Sequence, residues 1–373
     1  MESTIEESKN INKISEEKNI LQNKTNPEKQ EQNLNYKSIE SLGFTNTITG
    51  GFTNSFCVFF SKDNILSLIF TLETNTMIYY SIIDKKEIIS IKNAHNTYIN
   101  NYIYFFDKDN KRDLIISISC VENNLKLWDI NEIKCLLEIK RVNQFGLLFS
   151  ACFLYENKEL YILASNYNSK DPPESIKLYN LKGEIVNVVN DSNKQVFFID
   201  TYYDKNKLSN YIITCNKGFI TSFDYYKNEI YHTYIDRNDD DKIRLCAAIL
   251  DTPEYLKLIE SCYDGNIRIW DFNTGELLNK IRVIYRQLYG FCIWDENHLL
   301  VGSNNKGVNL IDIKRRKVLK RFFEHNSRVV TIKKIKHKKY GECFLSQGAD
   351  LDEIKLWVNN KDYIFDDSDT DDD

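Results

Sequence analysis

The chain has 373 residues, of which 42% are hydrophobic and 28% are charged, and its formal net charge is −5. That composition is ordinary for a protein that folds around a core, and the negative charge gives no general attraction to nucleic acid. The longest apolar stretch, residues 65–72, is too short to span a bilayer, and the N-terminus lacks the apolar segment of a signal peptide, so neither membrane insertion nor secretion is expected.

The first segment of the chain, residues 1–35, is rich in Glu, Lys and Asn and contains few apolar residues. Such a segment buries too little apolar surface to fold alone, which predicts a disordered tail. A weak helical stripe through Ile11, Ile14 and Leu21 leaves a second interpretation, a helix that forms on a partner or in a short coiled coil.

From residue 36 to residue 365 the chain repeats a pattern of two strands joined by a polar turn. Its clearest copies are NNLKLWDINEIKCLLEI, GNIRIWDFNTGELLNKI and KGVNLIDIKRRKVLKRF. Aligning these with four weaker copies places one residue of each in a common column: Ser81, Trp128, Tyr179, Phe223, Trp270, Ile311 and Trp357. The column spacing of roughly 41 to 51 residues is close to that of a four-stranded propeller blade. The sequence therefore predicts an all-β, seven-bladed β-propeller over residues 36–365, between the tail 1–35 and an acidic tail 366–373.

Two strands of the repeat carry a Trp-Asp pair, Trp128-Asp129 and Trp270-Asp271, and the second follows Ser261, Asp264 and Gly265. In these residues the chain resembles the WD40 family. The resemblance implies a seven-bladed propeller that serves as a non-catalytic scaffold for other proteins. It also implies buried, mutually bonded sets of His, Ser or Thr, an acidic residue and Trp. The matching residues here are His95, Ser119, Glu122 and Trp128 in one blade, and His325, Ser346, Asp350 and Trp357 in another.

The fold that the resemblance implies also sorts the loops onto two rims. With the strands of a blade lettered a to d from the axis outward, the d-to-a and b-to-c connections share one rim, here called the d–a rim. An insertion at residues 166–174 and an acidic connector belong to it. The connector supplies the candidate partner-binding residues Asp236, Asp239, Asp240 and Asp241. A neutral insertion is an equally good interpretation of the added length.

The opposite rim, formed by the a-to-b and c-to-d turns and here called the a–b rim, is expected to carry a basic patch in blades 6 and 7. Its residues are Lys314, Arg315, Arg316 and Lys317 in one turn and Lys336, Lys338 and Lys339 in the other. The predicted ligand is an acidic or phosphorylated protein partner, RNA, a phosphoinositide or the chain's own acidic tail. A solvated face in a lysine-rich protein is the alternative.

The C-terminal residues 366–373 are almost all aspartate, which predicts a solvated tail. Ser368 and Thr370 each precede an Asp by three residues, as in substrates of acidophilic kinases, so phosphorylation is an alternative to a purely solubilising role. We expect residues 36–44 to supply the outermost strand of blade 7, with residues 362–365 as the competing candidate.

No arrangement of residues indicates catalysis, a cofactor or a metal. The nine cysteines stand singly, without a CxxC pair, and the five histidines lack ligand spacing. Reduced thiols that fill the core are the expected role for the cysteines. A pair of carboxylates with raised pKa values in an axial pocket would instead indicate a propeller enzyme.

The sequence therefore predicts a non-catalytic interaction scaffold that holds proteins or peptides within a complex in the cytoplasm or nucleus. An RNA-binding or phospholigand-binding propeller is the alternative, and an enzyme is the least favoured reading. Substrate receptors of cullin ubiquitin ligases carry Trp-Asp-x-Arg, whereas this chain has Asn131 and Asn273 at those positions, which argues against that role.

Overall fold

The computed structural model describes residues 36–44, 56–72, 75–140, 142, 147–165, 176–189, 195–238, 242–349 and 353–359. Several predicted features lie outside these residues. They are the tail 1–35, the insertion 166–174, Asp239, Asp240, Asp241, Asp350, and the acidic tail 366–373 with Ser368 and Thr370.

The described residues form twenty-eight strands in seven separate antiparallel sheets of four strands each, and they include no helix. In order from strand a to strand d, blade 1 contains β2 (Cys57–Phe60), β3 (Leu66–Leu72), β4 (Thr76–Ser81) and β5 (Lys86–Ile91), blade 2 contains β6 (Asn101–Asp107), β7 (Arg112–Ser119), β8 (Asn124–Asp129) and β9 (Lys134–Ile139), and blade 3 contains β10 (Ala151–Glu156), β11 (Glu159–Ala164), β12 (Ile176–Tyr179) and β13 (Ile185–Val189). Blade 4 contains β14 (Phe198–Asp204), β15 (Ser209–Cys215), β16 (Phe219–Asp224) and β17 (Glu229–Ile235), and blade 5 contains β18 (Arg244–Asp251), β19 (Leu256–Cys262), β20 (Asn266–Asp271) and β21 (Leu277–Arg282). Blade 6 contains β22 (Leu288–Ile293), β23 (His298–Ser303), β24 (Val308–Asp312) and β25 (Lys317–Phe322), and blade 7 contains β26 (Val329–His337), β27 (Gly341–Gly348), β28 (Glu353–Asn359) and β1 (Tyr36–Phe44). The protein is a seven-bladed β-propeller, as predicted.

The blades close into a ring because each one buries its faces against two neighbours. Strand a of each blade from 1 to 6 contacts strand a of the next blade. Blade 7 returns to blade 1 through a core cluster that joins Phe56 and Leu66 to Ile335 and Leu345. A single four-stranded sheet cannot bury both of its faces, so this stacking supplies the hydrophobic core that an isolated blade lacks.

The alternation in the repeat predicted which side chains enter this core. In β8 (NLKLWD), Leu125 and Leu127 pack with blade 3, while Trp128 packs with Met77 and Tyr79 of blade 1. Adjacent residues of a strand point to opposite faces, so β8 contributes to both inter-blade clusters.

The turns between strands c and d share one design. In blade 2 the Asp129 carboxylate accepts hydrogen bonds from the backbone N–H groups of Asn131 and Glu132, at 3.0 and 3.2 Å. The turns in blades 1 to 6 each contain one residue with positive φ: Lys85, Ile133, Gly183, Asn228, Gly275 and Arg316. A β-bulge follows opposite the column residue, between Leu127 and Trp128 in blade 2. The aspartate that follows the column residue in several copies of the repeat is therefore a turn cap.

That design corrects the predicted column in blade 1. Its bulge lies between Tyr79 and Tyr80, and the Ser81 hydroxyl accepts the backbone N–H of Asp84, as Asp129 accepts N–H groups in blade 2. Tyr80 therefore occupies the position of Trp128, and Ser81 occupies that of Asp129. The prediction was wrong by one residue, which places the side chain on the other face of the strand.

The first strand of the chain completes the last blade. Strand β1 pairs antiparallel with β28, with Ser38 opposite Trp357 and Tyr36 opposite Asn359. This confirms that residues 36–44 supply the outermost strand of blade 7. The competing segment, residues 362–365, lies outside the described residues.

Candidate functional site

Two blades contain a buried bridge from histidine to tryptophan. In blade 2, the Ser117 hydroxyl accepts the indole N–H of Trp128 at 2.8 Å and lies 2.8 Å from Nε2 of His95. In blade 7, the Ser346 hydroxyl accepts the indole N–H of Trp357 at 2.7 Å and lies 2.6 Å from Nε2 of His325. Each bridge ties a connection between two blades to strand c, and it satisfies polar groups inside the core.

The structure brings together three of the four residues predicted for blade 2, with a different serine. Ser119 instead bonds to the hydroxyl of Thr97 at 2.8 Å, and the Glu122 carboxylate accepts the backbone N–H of Thr97. Glu122 also lies 3.8 Å from Nδ1 of His95. Ser117 rather than Ser119 forms the bridge because it lies two residues after Ile115, which pairs with Trp128 in the sheet. In the same way, Ser346 lies two residues after Phe344, which pairs with Trp357.

His95 is neutral in this bridge. Burial lowers its pKa from 6.5 to about 3, and the positive charge of Lys126 acts in the same direction. Glu122, 3.8 Å from Nδ1, makes no hydrogen bond to the ring, and burial is the largest cause of the shift.

Blade 5 replaces the neutral bridge with buried charges. The Arg268 guanidinium is fully buried, donates to Asp236 at 2.9 Å and to Glu260 at 3.3 Å, and also donates to Asp264. By register Glu260 takes the position of Ser117, since it lies two residues beyond Leu258, the partner of Trp270. Two further cations complete the group: Arg244 lies 3.4 Å from Glu260, and Lys280 lies 2.8 Å from Asp236. We call these six residues the blade 5 charge network.

The carboxylates of this network have shifted pKa values. Burial alone would raise the pKa of Asp236, but hydrogen bonds from Lys280 and Arg268 hold it well below its usual value. Burial likewise opposes ionisation of Asp264, yet hydrogen bonds from Arg268 and Asn266 lower its pKa to about 2. Burial raises the pKa of Glu260, against the attraction of Arg244 and Arg268. Each charge is retained in the core only because a partner is hydrogen-bonded to it.

The network changes the role of one predicted binding residue. Asp236 is 5% exposed and paired to two cations, so its carboxylate is part of the core rather than of an exposed acidic surface. Ser261 lies beside the network and donates to the backbone carbonyl of Tyr289 at 2.6 Å. Asp271 caps the turn of blade 5 through the N–H groups of Asn273 and Thr274. One sequence signal could have revealed the network: an arginine, Arg268, two residues before the column tryptophan.

The basic turns of blades 6 and 7 lie on the same rim. Strands alternate in direction within an antiparallel sheet, so the a–b and c–d turns of every blade share one edge. The c–d turn after β24 and the a–b turn after β26 therefore both lie at that edge, in blades 6 and 7, and the innermost strands of these two blades contact each other. All seven residues of the basic patch are exposed: Lys314, Arg315, Arg316, Lys317, Lys336, Lys338 and Lys339.

Acidic residues are interspersed with this basic patch. Arg315 lies 3.7 Å from Asp312, the cap of its own turn. Lys334 pairs with Glu342 at 2.9 Å, and Glu296 is exposed in the a–b turn of blade 6. Cations still outnumber carboxylates in these turns, so the patch retains a positive potential.

Among the described residues, thiols and one carboxylate line the axial channel. A cavity of about 270 Å³ is lined by Cys57, Cys152, Asp200 and Lys333, among others. Burial raises the pKa of the Cys57 thiol to about 12, which keeps it protonated and a poor nucleophile. The Asp200 side chain is exposed, and Lys333 lines the same cavity.

All nine cysteines are free thiols; seven are buried, Cys292 is partly buried and Cys135 is exposed. Among the described residues, no group of three or more His, Cys, Asp or Glu side chains is arranged to hold a metal ion.

No protein-family model matches this chain. Within the part of the chain that the structure describes, no helix is long and apolar enough to cross a bilayer.

Proposed function

We propose that the protein is a WD40-type propeller that acts as a non-catalytic interaction module inside the cell. Seven four-stranded blades, the Trp-Asp pairs of blades 2 and 5, and the His–Ser–Trp bridges of blades 2 and 7 support the assignment to that family. The rigid ring holds exposed turns at fixed positions, which suits the binding of other proteins.

The proposed class of partner is inferred from the basic patch. Seven exposed cations on two adjacent blades favour an acidic or phosphorylated protein segment, because charge of opposite sign steers such a partner and forms charge-assisted hydrogen bonds with arginine. The predicted role is a subunit of a complex that presents this rim to its partner.

Charge reversal at matched positions tests the proposal. The test variant carries Lys314→Glu, Arg315→Glu and Lys317→Glu, and the control carries Lys182→Glu, Lys205→Glu and Lys227→Glu. The control residues are exposed turn lysines on the same rim of blades 3 and 4, and Lys227 pairs with Asp224 at 3.9 Å as Arg315 pairs with Asp312. Both variants change the net charge equally, so a general charge effect would alter them alike.

Two measurements use these variants. The first is affinity purification from the native cells with and without ribonuclease. The second is titration of the pure protein with an Asp- and phosphoserine-rich peptide at two salt concentrations. We expect ribonuclease-resistant partners and the peptide to lose at least tenfold in binding to the test variant only. Equal binding by the wild type and the test variant would refute the proposal, and ribonuclease-sensitive binding would favour RNA instead.

A further inference from the structure

A large cleft lies across the ring from the basic patch. The cleft, of about 700 Å³, opens on the a–b rim between blades 2, 3 and 4 and reaches the axial channel. Its lining comes from strands a of blades 2, 3 and 4, from β15 and from the c–d turn of blade 4, and it includes Phe105, Tyr155, Glu156, Asp200, Tyr203 and Tyr226. Its volume suits one or two amino-acid side chains of a bound peptide.

Aromatic rings form the walls of the cleft. Phe105 packs against Phe153 with ring centroids 5.2 Å apart and stacks on Tyr155 at 6.1 Å. The Tyr155 hydroxyl donates to Asp109 at 2.9 Å, and the Tyr226 hydroxyl donates to Glu156. These contacts fix the rings in place before any ligand arrives, while Tyr155 remains 44% exposed and Tyr226 53% exposed.

The charge of the cleft has one sign. Glu156 and Asp200 are its carboxylates, and no Lys, Arg or His is among the residues that line it. Glu156 accepts hydrogen bonds from Tyr226 and Asn210 and is buried. Aromatic faces and carboxylates both attract cations, so the walls and the charge favour the same class of ligand.

The Asp200 carboxylate has an oxygen with which a ligand can form a hydrogen bond. Its Oδ1 accepts the backbone N–H of Thr201 at 2.8 Å, and among the described residues its other oxygen accepts no hydrogen bond and no cation lies within 4.0 Å. The Asp200 side chain is exposed, so a ligand in the cleft can reach this free oxygen. Asp200 also lines both the cleft and the channel, which places it at the floor where the two meet.

We propose that this cleft binds the arginine or lysine side chain of an extended peptide segment from a partner protein. The cationic head lies against Asp200, and the aliphatic stem passes between the aromatic walls that include Phe105, Tyr155 and Tyr203. Arginine is the better fit, because its planar guanidinium stacks on aromatic rings and donates two parallel hydrogen bonds to one carboxylate. The site is independent of the basic patch, so the two proposals can fail separately.

The test uses the full chain and a nine-residue uncharged peptide with a single central arginine. The same peptide with citrulline has nearly the same shape without the charge, and a lysine version separates the charge from the planar shape. Binding is followed by NMR line broadening of the peptide into the millimolar range and by fluorescence titration. We expect the arginine peptide to bind at least tenfold more tightly than the citrulline peptide, with the lysine peptide in between.

Two variants locate the binding in the cleft. Asp200→Asn removes the charge, and Tyr203→Ala removes a ring that is 47% exposed, so its loss leaves the core intact. Each is expected to weaken arginine binding at least tenfold. Glu254→Gln, an exposed carboxylate in the a–b turn of blade 5, is the matched control and should bind as the wild type does. Equal binding of the arginine and citrulline peptides, or unchanged binding in Tyr203→Ala, would overturn the proposal.

Discussion

We predict that Arg268→Met destabilises the protein by about 3 to 5 kcal/mol, the cost of breaking a buried ion pair from one side. Arg268 is fully buried and donates to Asp236, Glu260 and Asp264. The shift of the Asp264 pKa from 3.8 to about 2 corresponds to about 2 kcal/mol at 1.36 kcal/mol per pKa unit, and the hydrogen bond from Arg268 is the largest of the contributions that lower this pKa. Asp236, whose pKa is also held low by Arg268, adds to this.

Urea unfolding at pH 7, followed by the fluorescence of the four tryptophans, measures the loss. Arg112→Met is the matched control, because Arg112 pairs with Asp107 at 2.9 Å but its side chain is 26% exposed. We expect it to cost no more than about 1 kcal/mol. A loss below about 1 kcal/mol for Arg268→Met, or equal losses for both variants, would show that the blade 5 charge network is not an internal support.

The same network predicts an acid response. A carboxyl group whose pKa is lowered by folding stabilises the fold above its unfolded pKa, and that stability is lost as the pH falls through the folded pKa. For Asp264 the window runs from about pH 4 down to about pH 2. The wild type should lose stability across it, and Arg268→Met should lose less, because its Asp264 no longer has a strongly lowered pKa.

Three further predictions concern the ring. Ser346→Ala should cost about 1 to 3 kcal/mol in urea unfolding, because it leaves the buried indole N–H of Trp357 without an acceptor. Because the His95 pKa falls to about 3 on folding, the free energy of unfolding should drop by up to about 1.4 kcal/mol for each pH unit below pH 6.5. His95→Gln should remove that part of the pH dependence. An unchanged pH dependence would contradict the buried, neutral ring. Deleting residues 1–44 should lower the melting temperature and open blade 7 to proteolysis, whereas deleting residues 1–35 should leave both unchanged; equal effects would mean that β1 does not secure the ring.

The blades were predictable because the sequence pattern recurs at a nearly regular spacing along the chain. Two Trp-Asp pairs fix the register of blades 2 and 5, and strict alternation supplies the faces. Blade 1 was misregistered because its strand c, TMIYYS, offers two tyrosines and no tryptophan. Only the bulge after Tyr79, a feature of backbone pairing, decides between them.

The candidate sites were predictable only in part. Ser117 and Ser119 point to the same face of β7, so alternation alone cannot choose between them, and the choice depends on pairing with β8. Asp236 was assigned to an acidic surface because its partner Arg268 is thirty-two residues away and belongs to another strand. The aromatic cleft was missed entirely, since its residues come from three blades and become neighbours only when the ring closes.

The pairing of β1 with β28 also determines when the protein can finish folding. A ribosome makes β1 before any other described strand, yet its only partner in the sheet is the last of them. Throughout most of synthesis β1 therefore has an unpaired edge, while the blades after it can form in order as they emerge. A chain released before β28 is made would leave that edge available to other chains, so synthesis of β28 is the step that allows blade 7 to close.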